Sequence, residues 1–238
     1  MIYFKYFENK EIVEGKIENS EIAFLKNKKL LSPVSPNKII AVGLNYIDHI
    51  KEFGDRDIPK NPTLFIKFPH TVIGPNETIL LPKGYKRVDY EAELAIVINK
   101  HCYQVTPKQA KEYILGATCL NDVTERVVQK SDGQWIRGKN YPTFCPIGPY
   151  IVSDIDYNNL SIKSILNGKV KQNSNTKNFI WNVYELISFI SQSIPLENGD
   201  VITTGTPGGI SPMNDGDEII IEIEGIGRLV NKVKNINK

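Results

Sequence analysis

Eleven residues, Val88 to Ile98, constrain this chain more than any other stretch, reading Val-Asp-Tyr-Glu-Ala-Glu-Leu-Ala-Ile-Val-Ile. They begin by alternating and end as an apolar run rich in β-branched residues, the pattern of a strand entering a core. Successive strand side chains point to opposite faces, so Asp89, Glu91 and Glu93 share one face, and Tyr90, Ala92 and Leu94 the other. Carboxylates so placed repel one another unless positive charge lies between them. A hard divalent cation such as Mg²⁺ meets that need, because it collects carboxylate oxygens and keeps positions open for water or substrate. The alternative is an exposed strand face with solvated acids. Glu222 and Glu224 repeat the spacing near the C-terminus with no third acid close by, so Glu-x-Glu alone is a weak signal. The first pair differs because Asp122 follows the short apolar run Gly116–Leu120, where a third oxygen ligand can reach the same ion.

Charge and composition exclude several function classes. With 29 basic and 27 acidic residues the net charge is +2, which makes no electrostatic case for nucleic acid or a membrane surface as partner. Apolar runs such as Leu94–Ile98 are far too short to span a bilayer. The N-terminus reaches charged residues too soon for a signal peptide. Cys102, Cys119 and Cys145 are odd in number and widely spaced, which argues against a disulfide framework or a zinc site and for a reducing, cytoplasmic location.

Residues 1–35 are expected to form a small N-terminal β module, and 36–238 the main domain. Strands are predicted at Ile2–Phe7, Glu11–Glu14 and Glu21–Phe24, followed by a linker carrying Pro33 and Pro36. Lys38–Gly43 reads as a buried strand, and Tyr46–Phe53 as a short helix stopped by Gly54. On that helix His49 and Glu52 share a face, so the carboxylate can orient the imidazole as a general base. A surface His beside a surface Glu is the plainer alternative. Lys67 sits among apolar residues, as a buried cation or a snorkelling lysine. Thr106–Leu115 is predicted helical, with Thr106 as N-cap and Pro107 at its first position. Asn167-Gly168 signals a type I′ hairpin. Phe179–Ser193 reads as an amphipathic helix, with Trp181, Tyr184, Leu186, Ile187 and Ile190 toward the core. The glycine-rich loop after Thr203 lacks the ending of a phosphate loop.

Several of these segments taken together resemble the fumarylacetoacetate hydrolase (FAH) family. They are Asn45-Tyr-x-x-His49-x-x-Glu52, Glu91-Ala-Glu-Leu, Asp122-x-Thr-x-Arg126-x-x-Gln129, Gly138-Lys139, Asn-Gly-x-x-x-Gln172 and Thr204-Gly-Thr206-Pro. The likeness runs from about Lys38 to Val233, and departs from the family's usual residues at Phe68, His70 and Val127. It implies a mainly β fold with a few helices, a rolled mixed sheet or sandwich of the α+β class, generally found as a homodimer. It also implies Mg²⁺ or Mn²⁺ held by Glu91, Glu93 and Asp122, with Lys67, Arg126, Gln129 and Thr206 holding a small 2-oxo acid. His49, Glu52 and Lys139 would be catalytic, the first two activating water from a mobile lid segment.

The activity expected from that set is hydrolysis of a carbon–carbon bond in an acylpyruvate-type acid, giving a carboxylate and pyruvate through a metal-bound enolate. Decarboxylation or isomerisation of 2-oxo or 2-hydroxy-diene dioates, or of oxaloacetate, passes through the same enolate and is the alternative. A non-catalytic, metal-stabilised binding module is a weaker one. Fold does not choose among these.

Overall fold

The Ala92–Ile98 strand has no exposed residue, and its two faces serve two cores. Leu94, Ile96 and Ile98 join the larger apolar cluster, while Ala95 and Val97 pack with Val34, Ile39, Ile147 and Val201 in a second one. Period-two alternation therefore fills both sides of one strand, which explains its unbroken apolar run. The computed structural model describes residues 1–47 and 59–236.

The large sheet runs, in spatial order, through Glu11–Ile17, Ile2–Glu8, Cys145–Val152, Ile114–Asn121, Ala92–Ile98, Val201–Thr203, Ile39–Gly43 and Thr63–Lys67. Two further short strands pair with it off this path. It is mixed: Val201–Thr203 runs parallel to Ile39–Gly43 and antiparallel to Ala92–Ile98. A second sheet contains Lys169–Asn175, Ser161–Leu166, Glu218–Ile223, Gly227–Asn235 and Thr78–Leu81. Ile162, Ile219 and Ile221 from it join Leu94 and Ile96 in the larger core. The mainly β architecture with few helices agrees with the expectation. The N-terminal hairpin is continuous with the large sheet, because Ile2 and Tyr3 pair with Val152 and Ile151.

Local chemistry accounts for most element boundaries. Asn167 and Gly168 both take positive φ, the requirement of a type I′ turn, between Ser161–Leu166 and Lys169–Asn175. The helix predicted from Phe179 is Val183–Ser191, opened by Asn182, whose side chain accepts from the N–H groups of Tyr184 and Glu185. Its inward residues are Leu186, Ile187 and Ile190, while Trp181 and Tyr184 are half-buried against the core. All three cysteines are buried and free.

Two expectations are corrected. Glu21–Phe24 is not a strand but part of a 3₁₀ segment, Asn19–Leu25, opened by Glu21 accepting the Glu18 N–H at 2.9 Å. That reciprocal cap outweighs strand propensity. The helix expected over Thr106–Leu115 is only Pro107–Ala110 plus one 3₁₀ turn, because Ile114 and Leu115 already belong to the Ile114–Asn121 strand. Pairing beside Ala92–Ile98 buries that strand, and tertiary burial overrides local helix preference. The helix expected at Tyr46–Phe53 falls mostly outside the described residues.

Close backbone packing sets a stability test. Gly116 lies where a Cβ would meet the Val152 carbonyl oxygen at 2.6 Å, beside a register shift between the two strands. Gly116→Ala is expected to cost about 1–3 kcal/mol, the usual size of overpacking, measured as a lowered urea midpoint at unchanged slope.

Candidate metal centre

Strand register builds the acidic cluster. Asn121 pairs with Ala92 and Leu120 with Glu93, so Asp122 falls beside Glu91, and its N–H donates to the Glu91 carbonyl at 2.9 Å. The Asn121 side chain ties the same corner by accepting the Glu91 N–H at 3.0 Å. One carboxylate oxygen each from Glu91, Glu93 and Asp122 lies within 4.8 Å of the others, and all three residues are buried. The strand expected from Val88 is interrupted: Val88–Asp89 pairs with Thr124–Glu125, and Ala92–Ile98 begins two residues later. Asp89 pairs with Arg87 and Arg126, and the same Arg126 guanidinium joins it to Glu91.

Cations hold the cluster from three sides. Lys139 Nζ donates to Glu91 Oε2 at 2.7 Å and to Asp122 Oδ2 at 2.5 Å. Lys67 Nζ lies 2.7 Å from Asp122 Oδ1 and donates to the Lys139 carbonyl at 2.6 Å. Arg126 donates from Nη2 to Glu91 Oε1 at 2.6 Å, from Nε to Asp89 Oδ2 at 3.0 Å, and from Nη1 to Gln129 Oε1 at 2.7 Å.

The three acids do not share this support equally. Burial pushes Glu91 toward protonation, but Lys139 and Arg126 overcome it and hold its carboxyl well below the usual range. Burial acts on Glu93 in the same direction, and Asp122 and Glu91 add to it, so its carboxyl lies well above the usual range. Among the described residues Glu93 has no ion-pair partner; its Oε2 accepts from the Thr203 hydroxyl and, at 3.0 Å, from the Gly205 N–H. Burial opposes the charge on Lys139, yet Asp122 and Glu91 raise its proton affinity, and it remains an ammonium.

These residues fit a hard divalent ion. The donor set is three converging carboxylate oxygens, and one of them, Glu93, is held toward its protonated form by burial and by the two neighbouring acids. A cation among the three opposes that shift, and oxygen-only ligation suits Mg²⁺ or Mn²⁺ over softer metals.

Glu91 and Glu93 of the cluster line a cleft of about 390 Å³. Arg126, Gln129, Lys139 and Thr206 border it with Glu91 and Glu93, while Val42, Leu44, Phe65 and Trp135 form an apolar side. Phe65 and Trp135 meet edge to face at 5.2 Å between ring centres, and Lys139 Nζ lies 5.0 Å from the Phe65 ring centre. Residue 43 must be glycine for this wall, because a Cβ there would fall 2.5 Å from the Trp135 ring.

Most residues singled out in the sequence meet here. Lys67 contacts Asp122 but is completely buried behind it and does not border the cleft. The Thr206 hydroxyl donates to the Ala92 carbonyl at 2.9 Å and accepts from Gln172 Nε2 at 2.8 Å, so its single proton is engaged within the protein. His49 and Glu52 lie outside the described residues. Sequence reasoning missed Asp89 as the anchor of Arg126, Thr203 as the donor to Glu93, and the Phe65–Trp135 wall. The alternating acids and the paired threonines before Gly205 were the available signals for the first two; the aromatic wall joins distant segments and left none.

Metal binding is expected to stabilise the protein by linkage, about 2.7 kcal/mol at a hundredfold excess over Kd, or roughly 5–10 °C in the unfolding midpoint for a chain of this size. Glu93→Gln relieves like-charge repulsion, so the metal-free midpoint should hold or rise while the Mg²⁺-induced shift disappears. Thermal unfolding in Mg²⁺ and in EDTA reads both effects.

Residues 38–234 match the family model described as fumarylacetoacetate (FAA) hydrolase C-terminal. An uncharacterized protein of Methanocaldococcus jannaschii is 51% identical over 205 residues, covering 86% of each chain. The mitochondrial oxaloacetate tautomerase Fahd2a of Rattus norvegicus is 39% identical over 229 residues, covering 91% of this chain and 71% of its own. Among solved structures, 5-carboxymethyl-2-hydroxymuconate delta-isomerase from Mycobacterium smegmatis superposes with a TM-score of 0.93 at 38% identity over the full length of both chains. Sequence, fold and the acidic cluster thus agree, and the chain belongs to the fumarylacetoacetate hydrolase family.

Proposed function

We propose that this protein is a divalent-metal-dependent enzyme that interconverts keto and enol forms of 2-oxo dicarboxylic acids. The observation that carries the reading is the gathering of Glu91, Glu93 and Asp122 within 4.8 Å beside a buried ammonium that stays charged. The names of the relatives point the same way, since an oxaloacetate tautomerase and a hydroxymuconate isomerase both move a proton between carbon and an enol system. These names support isomerisation over the hydrolysis first expected from the sequence.

Keto–enol exchange breaks a C–H bond next to the 2-oxo group and forms an O–H bond on that oxygen, with negative charge on the oxygen in between. When bound by Glu91, Glu93 and Asp122, Mg²⁺ or Mn²⁺ supplies Lewis-acid polarisation of the carbonyl. Lys139 supplies fixed positive charge at the same end of the cleft, where low dielectric makes it most effective against a developing oxyanion. Of the five N–H groups of Arg126, three are engaged by Asp89, Glu91 and Gln129. One remains on each terminal nitrogen, a pair suited to a substrate carboxylate. The Phe65–Trp135 wall sets carbon against apolar surface and limits water.

A second reading, hydrolysis of an acylpyruvate, is supported by the Asn45-Tyr-x-x-His49-x-x-Glu52 string, which joins an imidazole to a carboxylate able to orient it. The two reactions separate cleanly in the assay. Loss of enol absorbance from freshly dissolved oxaloacetate should accelerate with Mg²⁺ and not with EDTA. Lys139→Met should lower kcat by about a hundredfold or more, with metal binding checked first. His49→Ala should abolish any pyruvate release from acetylpyruvate. Metal-dependent pyruvate release well above the rate of enol loss would favour the hydrolase.

A further inference from the structure

Among the described residues three cations border the cleft: Arg126, Lys130 and Lys139. Two are held by the protein's own acids. Lys139 is divided between Glu91 and Asp122, and Arg126 between Asp89 and Glu91. Lys130 stands apart: it is exposed on the short Arg126–Ser131 helix and pairs with no carboxylate among the described residues. Because it lies four residues after Arg126, it shares that residue's face of the helix, about 6 Å further along the axis.

The cleft lining therefore combines Glu91 and Glu93 with the Lys139 ammonium, the apolar Phe65–Trp135 side, and, one helical turn on from Arg126, an ammonium with no carboxylate partner among the described residues. We propose that Lys130 is a specificity-determining residue that pairs with the second, distal carboxylate of a dicarboxylic substrate. The inference rests on the reading above, in which the 2-oxo acid head lies at Glu91, Glu93 and Asp122. A carbon chain leading away from that head passes the aromatic wall, and a terminal anion gives Lys130 a partner that none of the described residues supplies. A terminal methyl leaves the lysine in water and gains nothing from it. The lysine's position also explains why the discrimination is by charge: its ammonium is a flexible point charge, suited to anions of differing reach, unlike the fixed fork of Arg126.

The test is calorimetric binding of 2-oxoglutarate and 2-oxopentanoate to the full-length, Mg²⁺-loaded protein, two acids of equal chain length that differ in a terminal carboxylate against a methyl. The wild type should prefer the diacid by about fivefold, the size of an exposed ion pair, and the preference should shrink as salt is raised. Lys130→Met should remove it, Lys130→Arg retain it and Lys130→Glu reverse it, with binding of 2-oxopentanoate the same in all four proteins. A diacid preference that survives in Lys130→Met, or that is absent from the wild type, overturns the proposal, as does failure of both acids to bind. The reading of the reaction falls separately: a Lys130-dependent preference in a protein that does not accelerate enol loss leaves this proposal standing and removes the tautomerase.

Discussion

Repulsion among three buried carboxylates is the constraint on which the site depends. Glu91, Glu93 and Asp122 converge inside a protein where Coulomb interactions are poorly screened, and removing a cation that pairs with such buried acids typically costs several kcal/mol. The chain answers with Lys139 between two of the acids, Lys67 behind Asp122, and an Arg126 that is itself braced by Asp89. The compensation stops short of Glu93, which is left with neutral donors from Thr203 and Gly205. An added cation among the three acids would offset that shortfall, which comes from the wiring of the site, not from the number of acids alone.

The sheet makes this wiring rigid. Ala92–Ile98 is flanked by Ile114–Asn121 on one side and Val201–Thr203 on the other. Neighbouring strands therefore bring Asp122 and Thr203 to the end of the strand that begins just past Glu91. Gln172 extends the same frame: it accepts the Ala92 N–H at 3.0 Å and donates to the Thr206 hydroxyl and the Pro207 carbonyl. One side chain from the second sheet thus locks the loop that follows Thr203 to the strand carrying the acids. A site held by strand registers and buried hydrogen bonds is preorganised, which is what electrostatic catalysis requires.

How much of this was legible in the sequence depended on the range of the interactions. The Ala92–Ile98 strand announced itself through an apolar run, and Glu91, Glu93 and Asp122 through spacing and proximity to that run. The Asn167-Gly168 turn followed from two residues able to take positive φ. The segment after Thr106 failed because its first turn is helical in truth, and only pairing with the neighbouring strand decides that Ile114 is not. The strand from Val88 was read as unbroken because alternation carries no sign of a break, whereas Tyr90 and Glu91 interrupt it. Lys67 was recognisable as a buried cation, but nothing in its flanking residues says that it stands behind Asp122, fully enclosed, and not against a substrate. Lys130 and Trp135 carry no local signal at all, since their meaning arises only from the cleft they border.

Glu93, the one acid of the three with no ion-pair partner among the described residues, is expected to complete a three-carboxylate site for a single divalent ion. Anomalous diffraction from crystals grown with Mn²⁺ tests it directly. One strong peak is expected in contact with an oxygen of each of Glu91, Glu93 and Asp122, and is expected to be lost in Glu93→Gln. A peak elsewhere, or one bound by Glu91 and Asp122 with Glu93 turned away to Thr203 and Gly205, would contradict it.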